Sequence, residues 1–103
     1  MIQIPPRTSC QYIIQKVGKR NGTITQITIL AVATLLAADN GDRFDVAIIN
    51  GGTQTVFLGE DVGVTILNGF PLLRGMGITF DAYTGPIYGI VAALTAVCGV
   101  IEV

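Results

Sequence analysis

The sequence has 103 residues, of which half are hydrophobic and only 13% are charged, and it contains two cysteines but no histidine or tryptophan. This length fits one domain and excludes a two-domain protein. Because histidine is absent, the commonest general base, the Ser-His and Cys-His pairs and histidine metal sites are all excluded, so we predict that the chain is not an enzyme. The apolar fraction exceeds what a lone soluble domain of this size needs, which predicts that copies associate.

Charge is divided unevenly along the chain. Residues 1–22 contain four cations and no acid, namely Arg7, Lys16, Lys19 and Arg20. The remaining residues contain two cations, Arg43 and Arg74, against seven acids. Four dispersed cations are too few for a nucleic-acid site, so we expect no nucleic-acid partner. The division predicts a basic N-terminal arm over 1–22 that contacts an acidic surface of a partner or another copy.

The first half of the chain is predicted to be an extended arm followed by strands. Pro5-Pro6 disfavours both a helix and a paired central strand, whereas residues 12–17 suit a short strand. Residues 23–30 are rich in β-branched side chains, which favours a strand. The Ala- and Leu-rich stretch 29–38 also admits a helix. It lacks an N-cap and begins with a Thr/Ile alternation, so we predict a strand with alternate residues from 27 to 35 on one face.

Turn signals divide the rest of the chain at intervals of about 8–12 residues, which is the spacing of a sandwich or barrel. They are Asn-Gly pairs and glycine clusters, which tolerate the left-handed backbone of hairpin turns. Further strands are predicted over residues 46–49, 53–58, 62–66, 78–80, 87–93 and 96–103. The sequence therefore predicts an all-β fold over residues 23–103, a small antiparallel β-sandwich or barrel (jelly-roll-like) of about seven or eight short strands.

Acidic residues offer the best candidates for a metal site. Asp39, Asp42 and Asp45 recur at every third position beside Asn40, and carboxylate and carbonyl oxygens suit calcium. The spacing does not match an EF-hand loop, and a solvated turn explains the same residues and is favoured. Glu60-Asp61 is similarly predicted to lie in an exposed loop. No glycine pattern matches a phosphate-binding loop, so we expect neither a metal nor a cofactor.

The two cysteines, Cys10 and Cys98, match no zinc or redox motif. Cys98 lies in an apolar run and is predicted to be a small core residue. A bridge between them would join the two ends of the chain, but nothing in the sequence requires it. The apolar run 86–101 has 16 residues, fewer than the ~18–20 of a membrane span. No signal peptide is apparent, and we expect no membrane partner.

A series of short motifs runs through residues 44–103. In order, these are Asn50-Gly51-Gly52 at a strand end, Val56-Phe57-Leu58-Gly59, the turn Gly69-Phe70-Pro71-Leu72, Ile87-Tyr88-Gly89-Ile90-Val91-Ala92-Ala93, and a closing strand over 97–103. They resemble a small β-sandwich module of tailed-bacteriophage virion proteins. In this module Phe70 and Leu72 would plug one end of the sandwich, but a plain core or turn role is favoured for each of these residues and for Tyr88 taken singly. Tyr88 would place its ring on the core and its hydroxyl in water.

The resemblance implies a structural virion protein. Our first hypothesis is a capsid decoration (cement) protein, a homotrimer on the outside of the head that binds the major capsid protein and stabilises joints between its subunits. It would be made in the host bacterial cytoplasm and located on the head surface. Alternatives are a tail, neck or head-fibre component, and a host-surface or carbohydrate-binding module, which the lack of tryptophan disfavours. The predicted contact residues are Pro5, Pro6, Arg7, Lys16, Lys19 and Arg20.

Overall fold

The computed structural model describes residues 22–103, and this part of the chain contains eight strands and no helix. The strands are β1 (Thr23–Ile29), β2 (Thr34–Ala37), β3 (Asp45–Asn50), β4 (Val56–Gly59), β5 (Phe70–Leu72), β6 (Gly77–Asp81), β7 (Ile87–Ile90) and β8 (Ala96–Glu102). The predicted all-β class is confirmed. Across these residues, no helix has the length and apolarity to cross a bilayer.

The strands form two four-stranded sheets, with the orders β1-β8-β3-β6 and β2-β7-β4-β5. Every pair is antiparallel. All consecutive strands except β4 and β5 lie in different sheets, so the chain passes repeatedly from one sheet to the other. This is the strand order of a jelly roll, a double sheet built from two Greek keys. Within residues 22–103, the fold is therefore an open sandwich in which each sheet has two edge strands.

The core lies between the sheets and follows from alternation along the strands. β4 buries Val56 and Leu58, and β8 buries Ala96, Cys98 and Val100. Other strands contribute further fully buried side chains, among them Ile29, Ile48 and Leu72. Each large aliphatic side chain that is buried in this way stabilises the fold by about 1.5–3 kcal/mol.

The predicted strand over residues 62–66 is wrong, because residues 60–69 form bends and turns. Val64 is buried, but Val62 is 69% exposed. Side chains of this loop bind its own backbone: the amide of Gly63 donates to Asp61 Oδ1 at 2.8 Å, and the amide of Asn68 donates to Thr65 Oγ1 at 3.2 Å. Such bonds offer the backbone an alternative to a sheet ladder.

The single strand predicted over residues 27–35 is also divided. β1 ends at Ile29, and Thr34 closes the turn that follows: its Oγ1 accepts from the amide of Leu30 at 3.1 Å and donates to the carbonyl of Val32 at 2.9 Å. The turn takes the chain to the other sheet, so the alternation of buried and exposed residues starts again in β2. Leu35 is consequently exposed, in contrast to the prediction.

Two predictions from the Gly-Phe-Pro-Leu motif and Tyr88 need correction. Phe70–Leu72 forms strand β5 rather than a turn, and although Leu72 is fully buried, Phe70 is 52% exposed. Pro71 is tolerated because β5 is an edge strand. In β7 the buried residues are Ile87 and Gly89, so Tyr88 points away from the core.

Candidate assembly surfaces

The four sheet edges differ in how well they are protected against pairing with another chain. β5 has three residues and contains Pro71, β2 has four residues with an irregular register, and β6 has five residues and ends at Asp81. Short length, proline, irregular register and charge each discourage pairing at an edge. β1 has seven residues and contains neither a charge nor a proline. It is the least protected edge among the described residues.

The first half of β1 lies open on both faces. Its first four residues, Thr23 to Gln26, are all exposed, and burial begins only at Ile27. Ile24 is 67% exposed although it is a large aliphatic residue paired with Ile101 of β8. Within the described residues, the outer side of β1 therefore presents main-chain groups and an apolar side chain together, as a template for an added strand requires.

Loops carry further exposed aliphatic side chains. The most exposed are Leu67 (93%), Leu94 (75%), Val62 (69%) and Val32 (62%). Single exposed hydrophobic residues are normal on a protein surface. Together with the exposed part of β1, however, these side chains account for the apolar excess of the sequence, because they are hydrophobic residues that the core does not bury.

A pocket of about 270 Å³ opens at the opposite side of the sandwich, where β5 and β6 form the neighbouring free edges. Its lining is mainly apolar and consists of Leu58, Gly59, Glu60, Phe70, Phe80, Tyr83 and Ile87. The Phe80 and Tyr83 rings lie with centroids 6.0 Å apart and planes tilted by 48°. The hydroxyl of Tyr83 donates to the carbonyl of Pro86 at 2.8 Å, which fixes the ring at the pocket wall.

The pocket carries negative charge on its rim. Burial raises the pKa of the Tyr83 hydroxyl above its ordinary value of 10.0, the Glu60 carboxylate raises it further, and Arg43 opposes both effects. Glu60 is exposed and lies beside Asp61 in sequence. A cationic group at this rim would meet an acid, while an apolar group would enter the aromatic interior.

Arg43 packs behind Tyr83, a residue of the pocket wall. Its guanidinium carbon lies 5.9 Å from the centroid of the Tyr83 ring, and its Nε donates to the Tyr83 carbonyl at 3.0 Å. Nη1 donates to the Ala38 carbonyl at 3.0 Å and to Glu102 Oε2 at 2.5 Å, and Nη2 donates to the Gly85 carbonyl at 2.5 Å. One buried cation thus fixes three loop carbonyls and the end of β8.

The Asp39, Asp42 and Asp45 set is dispersed in the structure. The amide of Asp42 donates to Asn40 Oδ1 at 3.0 Å, which is a turn contact. Asp45 is buried, and its Oδ1 accepts from the amide of Ala82 at 2.9 Å. Within residues 22–103, no three acids, histidines or cysteines are placed to hold a metal ion. The Asp42 contact is that of a turn, whereas Asp45 is a buried residue at the start of β3.

Cys98 lies in the core with no exposed surface and is a free thiol. Burial raises the pKa of this thiol to about 11. Its predicted role as a small core residue is confirmed. The suggested bridge to Cys10 involves a residue outside the described part of the chain.

The six predicted contact residues all lie outside the described residues, as does the predicted strand over 12–17. They are Pro5, Pro6, Arg7, Lys16, Lys19 and Arg20. Sequence reasoning missed Arg43, Tyr83 and the β1 edge. One signal for Arg43 was available, since it is a lone cation between Asp42 and Asp45.

Neither a known protein-family model nor a curated protein matches this sequence. The fold is similar to that of a solved chain from Bacillus endospore appendages, which form a novel family of disulfide-linked pili. The TM-score is 0.51 and the identity 18%, over 80% of this chain and 83% of that chain. This likeness shows a shared fold. The resemblance to phage virion modules has no family match behind it and stays a prediction.

Proposed function

We propose that this chain is a structural subunit that assembles with its own copies into an extracellular appendage. The observation that carries the proposal is the β1 edge, which is long and uncharged, is open on both faces in its first half, and has no strand on its outer side within residues 22–103. The jelly-roll likeness to a pilus protein supports it. The apolar excess of the sequence also supports it, because surplus apolar surface is commonly covered by a partner.

Assembly through β1 would add a strand from another copy to the sheet β1-β8-β3-β6. Main-chain hydrogen bonds supply affinity in such contacts, and alternate side chains supply specificity. Ile24 would be the main apolar anchor, since it is the most exposed large hydrophobic residue of β1. A closed ring or an open filament follows from whether the repeated contact returns to its starting copy.

A matched pair of lysine substitutions tests the edge. Ile24→Lys places a charge on β1, and Val62→Lys places one on the 60–69 loop, at nearly the same exposure (67% and 69%). We expect Ile24→Lys to raise the concentration needed for assembly about tenfold or more, and Val62→Lys to change it less than about twofold. Sedimentation velocity and electron microscopy measure this. Unchanged assembly of Ile24→Lys would remove β1 from the proposal, and a wild type that stays monomeric would remove the assembly itself.

The two cysteines determine whether copies can be joined by disulfide bonds, and the pili of similar fold are disulfide-linked. Cys98 is fully buried among core side chains, so Cys10 is the better candidate for a bond between copies. We expect Cys10→Ser, and not Cys98→Ser alone, to abolish any disulfide-linked species on a non-reducing gel. Linked species that persist in Cys10→Ser would contradict this assignment.

A phage capsid decoration protein is the second candidate. The motifs over residues 44–103 and the jelly-roll order, which viral capsid domains share, favour it. It predicts a small oligomer, a homotrimer in our hypothesis, that does not grow into fibres and binds purified phage heads through the major capsid protein. A tail, neck or head-fibre component would instead label those parts of the particle. Electron microscopy of the protein alone and with particles separates these outcomes from an appendage.

Neither candidate involves catalysis. The sequence offers no histidine, and every buried side-chain nitrogen or oxygen in residues 22–103 has a hydrogen-bond partner. The buried polar groups of this part therefore serve the fold. A binding screen, together with a measurement of the metal content of the purified protein, tests whether these groups form a functional site. A metal bound in stoichiometric amount would contradict a purely structural role.

A further inference from the structure

We propose that the pocket between β5 and β6 receives the first residues of a neighbouring copy, with Ile2 and Ile4 in the aromatic interior and Arg7 at Glu60. The proposal rests on the self-assembly argued above and adds a second contact, at the sheet edge opposite β1. It names a site for the basic N-terminal segment, whose partner surface the sequence leaves open.

The chemistry of the pocket matches that segment. A volume of about 270 Å³ lies below the ~300–1,000 Å³ of small-molecule sites, so it suits one or two side chains of a peptide. Its walls are Phe70, Phe80 and Tyr83, which favour aliphatic side chains. The sequence Met1-Ile2-Gln3-Ile4-Pro5-Pro6-Arg7 offers apolar residues at alternate positions and then a cation.

Charge complementarity also favours the N-terminal segment as the occupant of the pocket. The segment 1–21 contains four cations and no acid. In the rest of the chain, Arg43 is buried against Glu102, which leaves Arg74 as the exposed cation among several exposed acids. Glu60 and Asp61 stand at or beside the rim of the pocket. An acidic rim around an apolar interior selects a segment that is both basic and apolar, as this one is.

The length of the segment allows it to reach the pocket of a neighbouring copy. The register places Thr23, Glu102, Val46 and Phe80 in one row across the sheet, so with strands ~4.8 Å apart the segment joins β1 about 14 Å from Phe80. About five extended residues would cover that distance, whereas residues 8–21, which lie between Arg7 and the described part of the chain, can extend over ~45–50 Å. That reach exceeds the 26 Å and 19 Å widths of the fold, as a contact between copies requires.

Photo-crosslinking in the full chain tests the site and its source together. Ile4→p-benzoylphenylalanine is prepared in ¹⁴N and ¹⁵N forms, which are mixed before assembly and then irradiated. After digestion at lysine and arginine, we expect fragment spectra to place the link from peptide 1–7 at Phe70 within peptide 44–74, or at Phe80 or Tyr83 within peptide 75–103. Mixed light–heavy pairs are expected, at close to the statistical share of one half.

Two exposed phenylalanines provide the matched control, because Phe70 and Phe44 are both 52% exposed and only Phe70 lines the pocket. We expect Phe70→Ser to lower the pocket cross-link about tenfold and Phe44→Ser less than about twofold. Arg7→Glu should lower it about threefold, and Glu60→Lys in the same chain should restore it, since a surface ion pair contributes modestly.

Each outcome decides one point. Cross-links to other surfaces, or only to the same chain, overturn the proposal while β1-dependent assembly in sedimentation leaves the proposed function standing. Equal losses in Phe70→Ser and Phe44→Ser also overturn it. Loss of assembly in every form, including the unsubstituted chain, removes the proposed function itself.

Discussion

Arg43 and Glu102 lie 59 positions apart in sequence, yet Nη1 of Arg43 and Oε2 of Glu102 are 2.5 Å apart, with the arginine side chain fully buried. The pair joins the segment before β3 to the end of β8. Because the same guanidinium also donates to three main-chain carbonyls, it has a partner in every direction. Burial of a cation is tolerated only under such conditions.

Removal of the Arg43 side chain should therefore destabilise the fold strongly. Arg43→Ala leaves Glu102 and three carbonyls without their donor, and we expect a loss of about 3–5 kcal/mol in the free energy of unfolding. Arg43→Lys keeps the charge but not the planar fork of donors, so it should recover only part of the loss. Urea unfolding measures both, and a lysine variant as stable as the wild type would show that charge alone suffices.

Asn50 should be the second polar residue on which stability depends. It is fully buried, its Nδ2 donates to the carbonyls of Gln54 and Leu72 at 2.8 and 2.9 Å, and its Oδ1 accepts from the amide of Gly52 at 2.9 Å. We expect Asn50→Ala to lose about 2–4 kcal/mol, because buried groups lose their partners.

Asn68 serves as the control for Asn50. It makes comparable bonds, to the amide of Thr65 and the carbonyl of Gly63, but in an exposed loop where water replaces them. Asn68→Ala should lose less than about 1 kcal/mol in the same urea titration. Equal losses at the two positions would mean that burial does not set the contribution of these bonds.

The strands that sequence alternation located are those that bury one face. Val56 and Leu58 in β4, and Ile78 and Phe80 in β6, were placed correctly, because every second side chain of a pleated strand points to the same face and here that face packs on the core. The same alternation over 62–66 was misleading. There, side-chain bonds from Asp61 and Thr65 to the loop backbone compete with a ladder, and hydropathy does not report them.

The candidate surfaces were less accessible to sequence reasoning, because they depend on strand order. Among the described strands, β1 is an edge because β8, from the other end of the chain, pairs with only one side of it. The pocket likewise arises where β5 and β6 end their sheets. Local patterns of Thr and Ile in β1 predict a strand but do not distinguish a central strand from an edge.

Leu94 offers a route to a more stable chain. Its backbone has φ of 62°, in the left-handed region, and its side chain is 75% exposed. A non-glycine residue in this region lowers the free energy of unfolding by about 1–2 kcal/mol. A glycine variant recovers this loss, but the greater freedom of glycine in the unfolded chain offsets part of the gain. We expect Leu94→Gly to raise the free energy of unfolding by about 0.5–1 kcal/mol.

A second leucine-to-glycine change separates backbone relief from removal of an exposed apolar group. Leu67 is 93% exposed and, unlike Leu94, does not have positive φ. Leu67→Gly should leave stability unchanged or lower it, since only the entropy term remains. A gain at Leu67 equal to that at Leu94, in thermal or urea unfolding, would show that the φ angle is not the cause.

The buried thiol of Cys98 should make stability fall at alkaline pH. Burial raises the pKa of Cys98 from 9.0 to about 11 in the folded chain, so the unfolded chain releases this proton first. The stabilisation is fully present below pH 9 and is lost as the pH rises toward 11, by up to about 2–3 kcal/mol. Other groups titrate in the same range, so the measurement is the difference between Cys10→Ser and the double variant Cys10→Ser, Cys98→Ala in urea unfolding from pH 8 to 11. Equal slopes for the two proteins would contradict the assignment, as would rapid alkylation of Cys98 in the folded state at pH 8.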